Sequence, residues 1–432
     1  MAKGSIEKRG KNTWRLTVDL GINGDGSRNR PRKSIMIEDE VLLRTKKRLN
    51  DHLNNELAKF KIEVEAGAYI APEKTKFIDF IEEWREKYAS NPNNLSLTTL
   101  TVYENVIESR LIPAFKNDRI DQLTTLKLVS FFHDLEKPGT RKPSSSKKPL
   151  SEKQKAKQLE PLDASTLAHI HRVLKNIFSR AVEWKIIKEN PMDGVKKPTA
   201  KNAKEKLIEQ RENPQYFDEM EAQEVVDALY KETRKWRLLI LGSMLGGFRR
   251  GELNGLEWPE VLFDNNTIRI ENNIPLTLKG KAVEKGPKSL ASFRDVDMPD
   301  WYMNELKIYK QEWLKEKEFL EDKWLGADRQ YVFHNGTGTP YYYQHPSKWW
   351  KRFCDRHSLR YIKFHGLRHS AGTLLLEDED EANYDSILIA IQRRLGHARL
   401  STTSDTYVHV TKKVKTRVAG KLNKFDPSGL RK

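Results

Sequence analysis

The sequence predicts a multidomain protein: a small α+β N-terminal module (three-stranded sheet plus helix), an all-α domain, and a mainly α domain with a small antiparallel β-sheet. Three observations lead there. The 432 residues exceed what one hydrophobic core usually organises, which suggests about two to four domains. Apolar residues alternate over residues 11–37 and in short segments after Trp258, but recur every three or four positions nearly everywhere else. Two stretches, 137–157 and 196–211, are strongly charged and have no period. Boundaries at 1–70, 74–198 and 210–432 follow, with 137–157 as an insertion in the second domain.

In the first domain Trp14, Leu16, Val18 and Leu20 alternate with Arg15, Thr17 and Asp19; Asn23-Gly24-Asp25-Gly26 offers a turn, and 32–37 fits a returning strand. The polar face would carry Arg15, with Arg28, Arg30, Arg32 and Lys33 nearby. A basic ribbon of this size can enter a DNA groove, the bland alternative being a solvated face. Leu49, Leu53, Leu57 and Phe60 share one face of a helix over 38–65, which Gly67 and Pro72 end.

In the second domain Phe77, Phe80, Ile81, Trp84 and Tyr88 lie at helical spacing. Thr98 or Thr99 can cap a second helix, Thr125 a third, and Asp163 a fourth that presents Leu167, Ile170, Leu174 and Ile177 before Asn190-Pro191 breaks it. The insertion between the third and fourth holds eight basic residues, Lys147 and Lys148 among them, against Glu152 alone. It reads as a mobile loop that either solubilises the chain or touches DNA phosphates without sequence preference.

In the third domain Asp218 caps a helix through Tyr230, and an apolar helix from Arg234 ends at Gly246-Gly247. After Trp258, strands over 267–270 and 294–298 flank a polar loop with Lys279, Lys281, Lys285 and Lys288. Helices dominate beyond Pro299.

Lys plus Arg number 78 and Asp plus Glu 61, a net charge of +17 that favours a polyanion such as nucleic acid, with an anionic membrane surface as the rival. No apolar run approaches the roughly 20 residues that span a bilayer, and the N-terminus has no signal-like apolar region, so a soluble cytoplasmic protein is expected. The single cysteine, Cys354, excludes an internal disulfide framework and a cysteine-based zinc site. The histidines lack metal-ligand spacing, so neither metal nor cofactor is expected.

Side chains alone must then do any chemistry. One stretch stands out: Leu395-Gly396-His397, with Tyr407 ten residues after that histidine, preceded by His365-Gly366-Leu367-Arg368. Tyr407 reads as a nucleophile toward a phosphodiester. Metal-free attack needs cations on the non-bridging oxygens and a proton for the leaving oxygen, and arginine suits the first because its guanidinium donates two parallel hydrogen bonds to phosphate. Arg249, in Gly247-Phe248-Arg249-Arg250-Gly251-Glu252-Leu253, and Arg368 are the candidates, with Glu252 placed to orient Arg249. Each motif has a bland reading: a surface turn, a structural His-Arg pair, a capping histidine, a core tyrosine. Their order and spacing together do not.

That order resembles the tyrosine recombinase family, specifically integrases of phages and conjugative transposons. The resemblance implies that Arg249 and Arg368 bind the scissile phosphate, that Tyr407 attacks it, and that His365 assists proton transfer. It implies that His397 hydrogen-bonds the phosphate and that Lys288, with Lys285 and Lys281 as alternatives, protonates the 5′-oxygen. Gly246 and Gly366 depart from the family's commoner Thr and Asp, and the insertion is unusual.

The resemblance further implies site-specific recombination of a mobile element through a 3′-phosphotyrosine and a Holliday junction, without metal or ATP. The first domain would bind arm sites and the second core sites on double-stranded DNA; four copies would assemble on DNA in the bacterial cytoplasm, at the nucleoid, with host or element-encoded DNA-bending factors as possible partners. A type IB topoisomerase-like relaxing enzyme is the nearest alternative, and a non-catalytic DNA-binding protein the one from another class.

Overall fold

The computed structural model describes residues 3–22, 28–66, 75–141, 152–199, 212–286, 292–377 and 384–399. The chain divides into two compact units, Met1–Ala203 and Lys204–Lys432.

The first unit begins with strands β1 (Lys3–Lys8), β2 (Thr13–Asp19), β3 (Gly21–Ile22), β4 (Arg28–Asn29) and β5 (Arg32–Met36). β1, β2 and β5 form an antiparallel sheet in the order β1-β2-β5, and β3 pairs with β4. Trp14 stands opposite Ile35 and Leu16 opposite Lys33, while Arg15 opposes Ser34 and Thr17 opposes Arg32. Directly opposed side chains share a face. Arg15 and Arg32 are therefore on the outer face, and Trp14, Leu16 and Val18 are buried beneath it.

Lys33 corrects the expectation of a basic face that includes it. It lies on the inner side, its Nζ 5.8 Å from the Phe60 ring centroid and 3.5 Å from a Glu63 oxygen. Leu20 is exposed, because the strand ends one residue before it. The single helix expected over 38–65 is two: α1 (Glu40–Arg44), capped by the Asp39 side chain, and α2 (Lys46–Glu65), with Thr45 extended between them. Leu53, Phe60 and Val64 of α2 are buried, the latter two packing with Leu16 and Val18.

Helices follow: α3 (Phe77–Trp84), α4 (Leu97–Val106), α5 (Ile112–Phe115), α6 (Thr125–Leu135), α7 (Glu152–Leu159) and α8 (Ala164–Glu183). Wide π turns over Arg85–Ala89 and Ile107–Leu111 continue α3 and α4. Phe77, Phe80, Ile81, Trp84, Leu174 and Ile177 share one core. The caps differ by one to three positions from expectation. Ser96 rather than Thr98 or Thr99 accepts at the start of α4, and Thr124 at α6, while the Thr125 hydroxyl donates to the Pro191 carbonyl. α8 starts after Asp163 as expected but ends at Glu183, where Lys185 takes a φ of 57°. Residues 152–157 of the expected loop belong to helix α7; Lys147 and Lys148 lie outside the described residues.

In the second unit α9 (Glu219–Leu229) starts on a reciprocal cap between Asp218 and Glu221. α10 (Arg234–Gly246) is buried around most of its circumference and is the central helix. α11 (Arg250–Gly255) leads into strands β6 (Val261–Leu262), β7 (Thr267–Ile270), β8 (Asn273–Leu278), β9 (Lys281–Lys285) and β10 (Arg294–Asp297). Their sheet order is β10-β7-β6, with β8 and β9 a separate hairpin. Much of the expected polar loop is thus a hairpin, closed by Lys279 and Gly280 with φ of 47° and 80°, a turn matching strand twist. α12 (Asp300–Leu320), α13 (His345–Arg356), α14 (Phe364–Glu377) and α15 (Tyr384–Leu395) complete the unit. Leu239, Phe248, Trp258, Tyr302 and Trp350 lie in its core.

Candidate active site

Two helix ends meet at the site. α10 stops on Gly247, whose φ of 69° suits glycine, and an added Cβ there would overlap Leu395 of α15. α15 stops on Gly396, φ 61°. The Gly396 N–H donates to the Arg393 carbonyl and the His397 N–H to the Gln392 carbonyl, each at 3.0 Å, while the Gln392 amide donates back to the His397 carbonyl at 3.1 Å. This double closure is a Schellman cap, and it fixes where His397 leaves the helix.

The two arginines lace these ends together. Arg368 of α14, only 1% exposed, donates through Nη1 to the Gly247 carbonyl at 2.7 Å and through Nη2 to the Leu395 carbonyl. Arg249 donates through Nη2 to the Gly396 carbonyl at 3.1 Å and through Nη1 to Glu252 Oε1 at 2.5 Å, and its backbone N–H reaches Glu252 Oε2 at 2.9 Å. Glu252 also receives Arg294, whose Nη2 lies 2.9 Å from Oε2 and Nη1 3.2 Å from Oε1. Burial alone would raise the Glu252 pKa; the Arg294 hydrogen bonds and the charges of Arg294, Arg249 and Arg368 outweigh it and hold the carboxyl below its ordinary range.

His365 lies one turn before His369 on α14, their rings 4.9 Å apart and nearly perpendicular. His365 keeps an open edge in the cleft. Desolvation by the surrounding wall and then the positive neighbours His369, Arg368 and Arg249 lower its pKa to about 4, against a smaller pull from Glu252. His397 is lowered to about 4 by burial and by Arg368, Arg249, His369 and His365. Both imidazoles are therefore neutral at pH 7, and a neutral imidazole can accept a proton or a hydrogen bond.

Arg249, Glu252 and His365 line a cleft of about 600 Å³, together with Arg250, Asn273 of β8 and Lys363. The structure thus brings Arg249, Glu252, His365, Arg368 and His397 together. Lys288 and Tyr407 lie outside the described residues. Of the alternative lysines, Lys285 pairs across the hairpin with Asn273, whose side chain borders the cleft, while Lys281 stands opposite Leu278 at the far tip. Arg15, Arg28, Arg30 and Arg32 belong to the first unit, where Arg30 and Arg28 approach Asp19 at 2.9 and 3.5 Å.

Sequence reasoning missed Arg294 and His369. Arg294 had a signal: it alternates in phase with Val296 and Met298, so an arginine stood at a core position and required a buried carboxylate. The two departures from the family pattern have local reasons. A Cβ on Gly366 would come within 2.5 Å of the Gln215 carbonyl oxygen, and one on Gly246 within 2.5 Å of the Phe248 ring.

Known proteins resemble the chain in sequence and in fold. Residues 215–414 match the phage integrase family, and residues 76–135 match the N-terminal SAM-like domain of phage integrases, together more than half of the chain. A XerC-like tyrosine recombinase of Caldanaerobacter subterraneus subsp. tengcongensis is 28% identical over 60% of this chain and 66% of its own length. A probable integrase of prophage ps2 in Lactococcus lactis subsp. lactis is 26% identical over 81% of this chain and 83% of its own. The Tn1549 transposon integrase, solved in complex with circular intermediate DNA, shares the fold with a TM-score of 0.55 at 16% identity, over 79% of this chain and 98% of that one. The chain belongs to the phage integrase family of tyrosine recombinases.

Proposed function

We propose that this chain is the site-specific recombinase of a mobile element, cutting and rejoining double-stranded DNA. The observation that carries this reading is that Arg249 and His365 line one cleft while Arg368 and His397 lie close enough behind them to act on their charges, all within the segment matching the phage integrase family. Arg249 and Arg368 neutralise the scissile phosphate, and His397 hydrogen-bonds it. Neutral His365 takes the phenol proton of Tyr407, a group otherwise protonated at pH 7. The Tyr407 oxygen bonds to phosphorus, the bond to the 5′-oxygen breaks, and Lys288 protonates that leaving oxygen. The free 5′-hydroxyl of a partner duplex then attacks the 3′-phosphotyrosine and releases the tyrosine. Glu252 holds Arg249 in place.

One active site handles one strand, so four copies act on two duplexes through a Holliday junction. Residues 74–198 would hold core sites and 1–70 arm sites, through Arg15 and Arg32 on the outer sheet face. No helix among the described residues is long and apolar enough to cross a membrane; the cytoplasm, where the DNA is, is the proposed location.

The test is a nicked duplex that traps the covalent intermediate. The parent chain should form an adduct resistant to denaturing detergent, and Tyr407→Phe should form none. An adduct in that variant, or repeated relaxation of a plasmid lacking the element's sites, would overturn the assignment.

A further inference from the structure

Resting on the reading that DNA enters this cleft, we propose that Arg250, with Ser347 and Lys363, holds a second DNA phosphate next to the one Arg249 engages. Consecutive arginines here serve different elements. Arg249 reaches the end of α15 at Gly396, whereas Arg250 turns to α13, its Nη1 donating to Ser347 Oγ at 2.8 Å. The Arg250 guanidinium lies 5.4 Å from the centroid of the Tyr343 ring. That ring is fixed in turn: the Tyr343 hydroxyl accepts from the Gln344 amide at 2.8 Å, and the Tyr343 N–H donates to Thr277 of β8 at 3.1 Å. The arginine plane is held before any ligand arrives.

Charge then selects the ligand. Arg237, Arg294, Arg329 and Arg360 of the same unit each meet a carboxylate, Glu305, Glu252, Glu257 and Glu221 respectively. Among the described residues Arg250 meets none, although it is half-buried. Burial disfavours its charge, with only the Tyr343 phenol group opposing. Among the described residues the single carboxylate bordering the cleft, Glu252, is already engaged by Arg249 and Arg294. Lys363 adds a further cation at the rim. A half-buried guanidinium with donors facing an uncompensated cationic cleft calls for an anion with several oxygens. A phosphodiester one nucleotide from the cut supplies it, since each strand presents a phosphate about every 3.4 Å of rise.

The experiment couples protein and DNA changes. Duplexes spanning the cut site carry a single neutral methylphosphonate, moved one phosphate at a time, and binding is measured for the full chain and its variants. For the parent, the substitution at one phosphate beside the cut should weaken binding about tenfold, the size of a charge-assisted hydrogen bond. Arg250→Met should lose about the same, lower the salt slope by about 1, and be indifferent to methylphosphonate at that phosphate alone. Ser347→Ala, which leaves the arginine but releases its tether, should lose less at the same position. It serves the same test should Arg250→Met fail to fold. If the losses are additive at every position, the second phosphate site is wrong. Arg249→Ala separates the two claims: coupling at the cut phosphate with none for Arg250 overturns only this inference, and coupling for neither overturns the DNA-binding cleft itself.

Discussion

Glu252→Gln is the substitution that most directly probes how the site is held. It changes one oxygen to an amide and leaves the shape intact. Glu252 Oε1 accepts from Arg249 Nη1 and Arg294 Nη1, and Oε2 from the Arg249 backbone and Arg294 Nη2. An amide nitrogen must replace one of these oxygens, so two donors on that side face a donor. Arg294, with a side chain 6% exposed, also loses its counter-charge. An unsatisfied buried donor costs about 1–3 kcal/mol, and a buried ion pair broken on one side about 3–5 kcal/mol in all. Against a typical stability of about 5–15 kcal/mol, the second unit should unfold at markedly lower urea. Arg249 should also lose its tether, so covalent adduct formation should fall further than the folded fraction does. Glu252→Gln combined with Arg294→Met removes both charges and should recover part of the stability without recovering the adduct. A single variant within about 1 kcal/mol of the parent, or a double variant whose losses simply add, would refute the buried-pair account.

Gly366→Ala should cost about 1–3 kcal/mol in urea denaturation, because its Cβ would press the Gln215 carbonyl oxygen at 2.5 Å; an unchanged midpoint would contradict that contact. Burial and then the neighbouring cations lower His365 and His397 to about 4 in the fold, below the ordinary histidine value of 6.5, so the unfolded chain binds more protons between those values. Stability should therefore be complete above about pH 6.5 and fall as the pH drops toward about 4, and proton NMR should find both imidazoles still neutral near pH 5.5; midpoints near the ordinary value would sink this. On the N-terminal sheet, Lys33→Ala should lower stability with little effect on DNA binding. Arg32→Ala should do the reverse and reduce the salt slope of binding by about 1, and the opposite pattern would reverse the face assignment.

Much of the scaffold was legible because its signals are local. The alternation through Trp14, Leu16 and Val18 marks a strand with one buried face, and that face is buried. The reciprocal Asp218–Glu221 cap and the glycine stops at Gly247 and Gly396 sit where residue chemistry puts them. The errors are local too. Ser96 and Thr124 displaced neighbouring threonines as caps, since any hydroxyl within a residue or two of a helix start fits the pattern equally well. Lys33 was placed with the outer arginines by proximity in sequence, whereas strand parity puts it opposite Leu16, under the sheet.

The site itself divides along a different line. Arg249 and Arg368 were identifiable from their order in the chain, but what holds them was not, because three of the acceptors are backbone carbonyls, Gly247, Leu395 and Gly396, which every residue possesses. A carbonyl becomes a specific partner only when a helix end exposes it. Here the glycines have two tasks: they stop α10 and α15, and stopping them leaves the final carbonyls free to receive the guanidiniums. The same closure buries His397 beside the arginines, and burial together with their charge keeps it neutral. The sequence pattern of glycine before arginine and glycine before histidine is thus one device written twice. It also explains why the arginines and the helix ends should fail together: lengthening either helix past its glycine would remove the acceptors that orient both cations.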